Sequence, residues 1–503
     1  MKLTLPRLVI AITFLGIVAM AVRPSADTDT WWHLRVGAWI VEHRAVPMVD
    51  PFSHTRAGTE WKIPGWLVQV PLYLLFANFG YAGLNLFTAA CVTLTFVFIY
   101  QCCEGNAFVK AFTLILAAAA SAIYWSARPQ IVSFLLAGAF AYILHLYRWQ
   151  RVNRLWVLPS LMALWANVHG GFALGFILLG LTVAGESVSF LWRLFTAESA
   201  ERAKFWSLQF EVRSSGAVGP RGIIWLTAIG LLCALAVSFN PAGPAMLLYP
   251  FKTVSIGVLR DFIQEWQSPD FHQVNAQIFL WLLFGTLAAV GLSRRRINFT
   301  DLVLVTGCAY LGFLAWRNVV LLAIIAPPVI TRHVAWGWAE ARGQVTARAE
   351  ANPSGGGILL NWAILLVVAL TALVKISISI QPALNAAEAA RLVPVGAAEY
   401  IQRERPKGRL FNSYNFGAYL TWALYPAYPV YVDGRTDLYD GDFLREYLSV
   451  ALARPGYEAV LSKYGVNVAV VESNSLISDA LARDGWRAMY DDPLATVYER
   501  ARP

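Results

Sequence analysis

The sequence predicts a polytopic α-helical membrane protein that ends in a soluble α/β domain. Of its 503 residues, 57% are hydrophobic and only 14% are charged. This composition is too apolar for a soluble domain and is typical of a chain with many membrane spans. The 20 tryptophans and 20 tyrosines agree with this, because amphipathic rings favour the two membrane interfaces. Beyond residue 380 the long apolar runs stop, and helical and strand-like segments alternate.

Apolar runs fill most of the chain before residue 380, and several are close to the roughly 20 residues that a membrane-spanning helix needs. They are 6–22, 81–103, 107–125, 129–147, 155–168, 170–192, 222–239, 275–292, 299–316, 317–334 and 357–379. We expect the first run to be a retained span, because no small-residue cleavage site follows it. The run 155–168 is short and ends at the polar sequence NVHGG.

The segment Pro64–Gly80 decides the predicted topology. If it crossed the membrane, the basic loops Arg148–Arg154 and Ser293–Asn298 would both lie outside. That would oppose the tendency of Lys and Arg to remain in cytoplasmic loops. We therefore predict an interfacial or re-entrant helix at 64–80, about eleven spans in total and a cytoplasmic N-terminus.

This topology divides the chain into two predicted domains. Residues 1–379 form the transmembrane domain with a large first outer loop at 23–80, and residues 380–503 form an α/β domain on the outer side. We expect a bacterial inner-membrane protein whose outer side faces the periplasm or the exterior. The formal charge of +9 is then explained by cytoplasmic Lys and Arg, which include those of 193–221 and the linker 332–357. No basic run indicates a nucleic-acid partner.

The tail alternates between the two kinds of secondary structure, which predicts a small α/β layer domain. Its predicted elements are helix 386–403, strand 409–414, helix 415–424, strand 429–434, helices 442–452 and 457–464, strand 466–471, helix 475–484 and strands 486–492 and 495–500. The five cysteines all lie in or beside apolar segments, so we expect no structural disulfide and no CxxC metal site.

An acidic pair, Asp27 and Asp29, directly follows the first apolar run. A carboxylate near the membrane surface and beside tryptophans has a raised pKa and can act as a general base. Two carboxylates in a D-x-D sequence can also hold Mg²⁺ or Mn²⁺. The third interpretation is an ordinary helix cap at Asp29 or Thr30. His33 lies one helical turn after Asp29, where it can orient the carboxylate, contact a phosphate or simply lie at the interface.

Three cations lie at the predicted outer ends of different spans. They are Arg128 in ARPQ, His169 in NVHGG and Arg317 in WRN. A cation at such a position is costly unless it pairs with an anion or snorkels to water. A lipid phosphate at headgroup level would satisfy all three, so the sequence predicts a donor-phosphate site.

Two further groups of polar residues are candidates for acceptor or ligand contacts. Glu265 and Asp270 lie in the segment 260–272, which is also compatible with an amphipathic interface helix. Asp433, Arg435 and Asp437 directly follow a predicted strand, and strand ends in α/β domains often bind ligands. A D-G turn closed by a salt bridge is the alternative for this second group.

The motifs together resemble the GT-C superfamily of integral-membrane glycosyltransferases. They are DTDTWWHL, VPMVDPFS, ARPQ, NVHGGF, FNPAG and VDGRTDLY, spread over nearly the whole chain. Relatives include protein mannosyltransferases, oligosaccharyltransferases and aminoarabinose transferases of lipid A, and the likeness is closer to bacterial membrane glycosyltransferases without an assigned substrate. The resemblance implies a polyprenyl-phosphate sugar donor, with Asp27 or Asp29 as base or metal ligand. Where some relatives have a polar residue before the WL of the interfacial helix, this chain has Ile63–Gly65, so a second metal ligand from that helix is not expected.

The sequence therefore predicts a glycosyltransferase that moves a hexose or pentose from a polyprenyl-phosphate carrier to an envelope hydroxyl at the outer face. The acceptor can be a lipid, a glycan or a protein. Asp29 is favoured as the base over Asp27. The sequence leaves open whether Mg²⁺ or Mn²⁺ is a cofactor. A lipid or glycan transporter and a non-catalytic scaffold with a binding domain are the alternatives. A transporter is disfavoured because few charges lie deep in the apolar runs and no internal repeat is evident.

Overall fold

A computed structural model describes residues 2–24, 27–196, 216–255, 257, 263–341 and 355–501. Its first part is a bundle of apolar helices with two additional helices, α2 and α9. The helices are α1 (Leu5–Ala21), α2 (Thr30–His43), α3 (Trp66–Cys102), α4 (Ala107–Ser121), α5 (Gln130–His145), α6 (Val157–Val168), α7 (Ala173–Thr196), α8 (Gly219–Val237), α9 (Tyr249–Ser255), α10 (Val274–Leu292), α11 (Phe299–Leu314), α12 (Val319–Ala341) and α13 (Gly355–Ser379).

Each predicted apolar run is helical over most of its length. Among the described residues, 8 helices are long and apolar enough to cross a membrane, and α1, α6 and α11 are shorter apolar helices. The number of spans thus stays a prediction, while a multi-pass helical architecture is established. The predicted linker 332–357 is partly wrong, because α12 continues to Ala341 and α13 begins at Gly355; its remaining residues, 342–354, lie outside the described residues.

The helix α3 contains a sharp bend at Gly80. This glycine has φ 58° and ψ −146°, which only glycine adopts readily. A Cβ at Gly83 would lie 2.7 Å from the carbonyl oxygen of Leu75. In a straight helix these residues would be about 12 Å apart along the axis, so the chain folds back at Gly80. The segment before Gly80 is therefore a helix separate from the one that follows it, and its interfacial or re-entrant position stays a prediction.

The C-terminal α/β region, residues 382–499, contains a four-stranded sheet and six helices among the described residues. The strands are β1 (Arg409–Asn412), β2 (Val466–Glu472), β3 (Arg487–Asp491) and β4 (Ala495–Glu499), in the order β1-β2-β4-β3. The helices are α14 (Pro382–Ala390), α15 (Val395–Glu404), α16 (Tyr414–Leu424), α17 (Gly441–Ala451), α18 (Tyr457–Lys463) and α19 (Leu476–Arg483). Only β1 and β2 are parallel, while β4 pairs antiparallel with both β2 and β3.

Two predicted elements of this region are wrong. The predicted helix 386–403 is two helices, because Pro394 lies between α14 and α15 and proline disfavours helical backbone at the residue before it. The segment 429–434 does not join the sheet. Val430 instead donates a backbone hydrogen bond to Phe52 at 3.1 Å and accepts one from His54 at 3.0 Å. The backbone polar groups of this segment are thus partly satisfied by the first loop instead of a neighbouring strand.

The first loop and the C-terminal region share one apolar core. Phe52 and Trp61 of the loop are buried in the same cluster as Tyr431, Tyr439 and Phe443. This cluster is separate from the larger core of the helical bundle. The C-terminal region is thereby fixed against the loop that follows α1, and this contact positions the candidate site.

A buried ionic network lies at the other end of the bundle. Arg148 contacts Glu186 at 3.1 Å and Asp301 at 2.9 Å, and Asp301 also contacts Arg332 at 2.7 Å. Arg148 belongs to the basic segment predicted to be cytoplasmic, and it is only 4% exposed. Its cost of burial is reduced because two carboxylates of neighbouring helices pair with it.

Candidate active site

The acidic pair occupies the turn that leads into α2. The carboxylate of Asp27 accepts a hydrogen bond from the backbone N–H of Asp29 at 2.9 Å, which closes the turn. Asp29 occupies the N-cap position of α2, but its side chain makes no capping hydrogen bond. Asp29 is therefore located where a capping residue would be, but its carboxylate is directed to other groups and does not cap the helix.

Arg128 lies at the centre of three carboxylates. Its Nε is 3.0 Å from Asp27, and its two terminal nitrogens are 2.6 Å from Asp29 and 3.3 Å from Glu265. Its side chain is 15% exposed. The same guanidinium donates to the Gln130 side-chain oxygen at 2.9 Å. The sequence predicted Arg128 as a phosphate ligand, whereas here its nitrogens face carboxylates.

Arg317 extends this cluster from the 3₁₀ turn Trp316–Asn318, which directly precedes α12. Its guanidinium is 3.5 Å from Glu265 and lies over the ring of Trp266 at 4.4 Å from the centroid. A backbone hydrogen bond from Trp316 to Gln267 at 2.9 Å holds this turn against the 3₁₀ turn Gln264–Trp266, which Gln267 follows. Among the described residues Arg317 makes one ion pair and Arg128 makes three, so Arg317 retains more capacity to bind an anion.

Asp29 has the electrostatic properties of a general base. Burial raises its pKa, the Arg128 guanidinium opposes this, and the negative charges of Asp27 and Glu265 raise it further, to about 7. Glu265 behaves in the opposite way: burial opposes its ionisation, but Arg317 and Arg128 outweigh burial and lower its pKa. One carboxylate of the cluster is therefore able to take up a proton near neutral pH, and its neighbour stays ionised.

His169 is held as a neutral hydrogen-bond donor. Its Nδ1 accepts from the backbone N–H of Gly171 at 3.0 Å and lies 2.9 Å from the Ser133 hydroxyl. The Trp165 indole donates to that hydroxyl at 2.7 Å, so Ser133 is oriented toward Nδ1. The remaining proton must reside on Nε2, and none of the described residues accepts it. Burial, together with Arg317 and Arg128, lowers the His169 pKa to about 3.

His33 lies in the same neighbourhood, one turn into α2. It is 8% exposed and its Nδ1 lies 2.8 Å from the side-chain nitrogen of Gln69 in α3. Burial lowers its pKa well below the usual value, and Arg128 and His169 lower it further. His33 is therefore neutral, and Gln69, which the sequence analysis did not single out, fixes its ring.

The C-terminal region forms a wall of the site through Gly434. A Cβ at Gly434 would collide with Oδ1 of Asp29 and would lie 3.3 Å from the indole nitrogen of Trp32. Tyr414 is close enough to Asp29 for that carboxylate to raise its pKa, in addition to the larger effect of burial. Neither Gly434 nor Tyr414 was predicted as a site residue.

The other predicted C-terminal residues have different positions. Asp433 and Arg435 form a fully buried salt bridge at 2.8 Å, in which Asp50 of the first loop also takes part, so the geometry favours the structural alternative for this pair. Burial raises the pKa of Asp437 to about 6, and Asp437 also raises the pKa of Tyr249, which identifies the two as neighbours.

Asp270 is not brought to the cluster. It is exposed, and its hydrogen bonds are made within the turn before α10, to the His272 backbone at 3.0 Å and to Gln273 at 3.3 Å. Of the two acidic candidates in this segment, only Glu265 therefore reaches Arg128 and Arg317.

A pocket of about 480 Å³, open to solvent, is lined in part by Asp27. Its volume lies in the range of about 300–1,000 Å³ that is common for ligand sites. Its polar lining residues are Arg23, Asp27, Asn85, Thr88, Ser126 and Glu388. The pocket thus connects the end of α1 and the bent helix α3 to Asp27.

Solved structures with a similar fold have low sequence identity to this chain. The archaeal oligosaccharyltransferase AglB from Archaeoglobus fulgidus, in complex with an inhibitory peptide and a dolichol-phosphate, matches with a TM-score of 0.52 and 13% identity, over 92% of this chain and 69% of that one. The same organism's oligosaccharyltransferase, tethered with an acceptor peptide, gives 0.52 and 12% identity over 99% and 74%. ArnT from Cupriavidus metallidurans, bound to undecaprenyl phosphate, gives 0.50 and 15% identity over 98% and 97%.

These similarities, together with the helical bundle, define the chain as a multi-pass membrane protein with the GT-C fold. No family model and no curated protein sequence matches the chain.

Proposed function

We propose that the protein is a membrane glycosyltransferase that moves a sugar from a polyprenyl-phosphate carrier to an acceptor hydroxyl at the outer face of a bacterial inner membrane. The observation that carries the proposal is Asp29, a carboxylate with a pKa of about 7 that lies 2.6 Å from the Arg128 guanidinium. The same guanidinium pairs with Asp27, which lines an open pocket. The fold adds support, because AglB and ArnT were solved with dolichol-phosphate and undecaprenyl phosphate.

In the proposed reaction the acceptor oxygen forms a bond to the anomeric carbon of the sugar. The bond from that carbon to the carrier phosphate breaks, and its electron pair leaves with the phosphate. Asp29 takes the proton of the acceptor hydroxyl. Because the leaving group is already a phosphate, positioning and charge stabilisation contribute more to the rate than acid catalysis does.

Arg317 and His169 are the groups proposed to bind the donor phosphate. Arg317 supplies a charged donor, and the neutral His169 supplies the Nε2–H that no described residue accepts. His33 lies close enough to His169 for the two to influence each other, and its ring is fixed by Gln69. It is proposed to contact the same phosphate or the sugar. Hydrogen bonds from a cation to phosphate are roughly twice as strong as neutral ones, so Arg317 makes the larger contribution.

The two-domain division at residue 380 belongs to the same proposal. Residues 1–379 hold the carrier and the base, and residues 380–503 face the periplasm and close the site through Gly434. An envelope lipid, glycan or protein would approach from the side that this region covers. Tyr414 and Asp437 are then candidates for acceptor contact.

Binding of undecaprenyl phosphate tests the proposal without knowledge of the sugar. Purified protein in nanodiscs should bind this lipid, and Arg317→Ala should weaken the affinity about tenfold or more, since a charge-assisted hydrogen bond contributes roughly 1.5–3 kcal/mol. Asp29→Asn should bind normally yet lose transfer with a panel of polyprenyl-phosphate sugars. Arg445→Ala, which removes an exposed cation of α17, is the matched control. Equal affinity of wild type and Arg317→Ala would leave Arg317 as an interfacial anchor, and wild-type transfer by an Asp27→Asn/Asp29→Asn double variant would overturn the proposed site.

A further inference from the structure

We propose that the Arg128 guanidinium takes the place of a divalent cation between Asp27, Asp29 and Glu265, so that this protein works without a metal at its acidic pair. The position of Arg128 between the three acids follows from geometry alone, and its role in catalysis rests on the proposed glycosyl transfer.

The cluster offers few free carboxylate oxygens to a metal ion. One oxygen of each acid faces a different nitrogen of Arg128, at 3.0, 2.6 and 3.3 Å. The second oxygen of Asp27 accepts from the Asp29 backbone, and the second oxygen of Glu265 pairs with Arg317. Mg²⁺ requires oxygen ligands at about 2.0–2.1 Å in octahedral geometry, so it could bind only if the guanidinium left. Among the described residues, no group of three His, Cys, Asp or Glu side chains is arranged to hold a metal.

The remaining oxygen, Oδ1 of Asp29, has a distinct environment. No donor among the described residues contacts it, and it faces the backbone of Gly434. An oxygen without a donor is the one that can accept a proton from a substrate hydroxyl. The cluster therefore uses five carboxylate oxygens to hold the arrangement and leaves one for chemistry.

Arg128 is itself held firmly, as a fixed counter-ion must be. It donates to the side-chain oxygen of Gln130 at 2.9 Å. Gln130 is oriented in turn, because its nitrogen donates to the Ser126 hydroxyl at 3.0 Å and to the Tyr124 carbonyl at 3.3 Å. Arginine keeps its charge throughout the physiological pH range, and its planar fork reaches several carboxylate oxygens at once.

The charge balance is consistent with this role. Three carboxylates face two guanidiniums, which leaves one negative charge when all are ionised. Protonation of Asp29 during the reaction would remove that charge. An added divalent cation would make the cluster positive and would favour Asp29 in its charged form, which weakens it as a base.

Mn²⁺ binding to the purified full-length protein tests the proposal without any substrate. By electron paramagnetic resonance, the wild type should bind no Mn²⁺ that depends on Asp29, whereas Arg128→Ala should gain a Mn²⁺ site that Asp29→Asn removes again in the double variant. Arg128→Lys keeps a positive charge between the acids and should gain none. Transfer and undecaprenyl-phosphate binding by the wild type should be unchanged after dialysis against a chelator.

Three results would overturn the proposal. The first is Mn²⁺ binding by the wild type that Asp29→Asn abolishes, a result that does not depend on the folding of any Arg128 variant. The second is a folded Arg128→Ala protein that gains no Mn²⁺. The third is loss of wild-type transfer in chelator that Mn²⁺ or Mg²⁺ restores. If the protein transferred no sugar at all, the Mn²⁺ results would still stand, so failure of the proposed function is distinguishable from failure of this inference.

Discussion

Asp50 of the first loop and Arg435 of the C-terminal region form a salt bridge at 2.5 Å in which neither side chain is exposed to solvent. Arg435 also pairs with Asp433 and lies over the ring of Trp61, 4.7 Å from its centroid. This contact joins two segments that are 385 residues apart in sequence. It fixes the backbone of Gly434, next in the chain, against Asp29.

Removal of Asp50 should therefore destabilise the protein strongly. Asp50→Ala leaves Arg435 with one partner in a buried site, and breaking a buried ion pair typically costs about 3–5 kcal/mol. Thermal unfolding in detergent should show a lower midpoint, and limited proteolysis should release the C-terminal region earlier. Asp442→Ala removes an exposed acid that pairs with Arg445 and should change neither readout. A normal midpoint for Asp50→Ala would show that the apolar contacts alone hold the two segments.

Gly434→Ala should reduce transfer with little effect on stability. The new Cβ would collide with Oδ1 of Asp29 and displace the base. A displacement of about 1 Å can cost roughly a hundredfold in rate, so kcat should fall about that much while undecaprenyl-phosphate affinity is retained. Gly285→Ala adds a Cβ in open space in α10 and is the control. An unchanged kcat for Gly434→Ala would separate the C-terminal region from the position of Asp29.

Hydropathy and alternation predicted most of the fold, because both depend on the local sequence. Each predicted apolar run is helical over most of its length, and most predicted elements of the C-terminal region are correct. The charged loops predicted a separate helix at 64–80, and α3 bends at Gly80. The segment 429–434 has a strand-like sequence but pairs with residues 52–54. No local pattern shows which distant backbone a short apolar segment will meet.

The sequence predicted which residues belong to the candidate site but not which of them contact each other. The sequence identified Asp27, Asp29, Arg128 and Glu265 as candidates and predicted that Arg128 binds a phosphate. In the structure Arg128 pairs with carboxylates, one of which is Glu265. The two residues are 137 positions apart, so their contact depends on how two loops pack, which the local sequence does not show. Residues that act by orienting others, such as Gln69 and Gly434, carry no chemical signal in sequence. Gln130 lies two residues after Arg128 in the ARPQ motif, so the sequence could have identified it as a partner of Arg128.

The ionic network at the other end of the bundle should matter for stability and not for the site. Asp301→Ala leaves Arg148 and Arg332 each short of a buried partner and should destabilise the bundle by about 3–5 kcal/mol. The network lies about 30 Å from Arg128, because α5 and its extension rise about 1.5 Å per residue between them. Undecaprenyl-phosphate binding by the folded fraction should be unchanged. The control is Glu104→Gln, which alters the 45%-exposed partner of Arg332 and should have a smaller effect. Loss of lipid binding in folded Asp301→Ala would instead couple the two ends and favour a transporter.

The predicted orientation is checked by reporter fusions. Fusions at Trp149 and Arg295 should be cytoplasmic and a fusion at Tyr457 should be external, because the two basic segments belong inside. The bend at Gly80 allows this arrangement, since the helix before it need not cross the membrane. An external Trp149 would mean that the segment 64–80 spans, and the assignment of the site to the outer face would then be wrong.

The pH dependence of transfer should report on Asp29 directly. A general base works only when deprotonated, so kcat should be low in acid and should rise to a plateau with a midpoint near pH 7, the pKa of Asp29. Its neighbours shift that midpoint in directions that can be stated in advance. Glu265→Gln removes a negative charge that raises the Asp29 pKa and frees Arg128 to pair more closely, so the midpoint should move to lower pH.

Arg128→Gln should move the same midpoint to higher pH, because the guanidinium lowers the Asp29 pKa. A variant that only disturbed the fold would reduce the plateau and leave the midpoint in place, so the two shifts of opposite sign identify an electrostatic effect. Asp29→Asn should lose the titration together with roughly 10²–10⁴ of the rate, which is the usual contribution of a general base. If Asp29→Asn kept the midpoint and Asp27→Asn abolished it, Asp27 would be the base and Asp29 its partner.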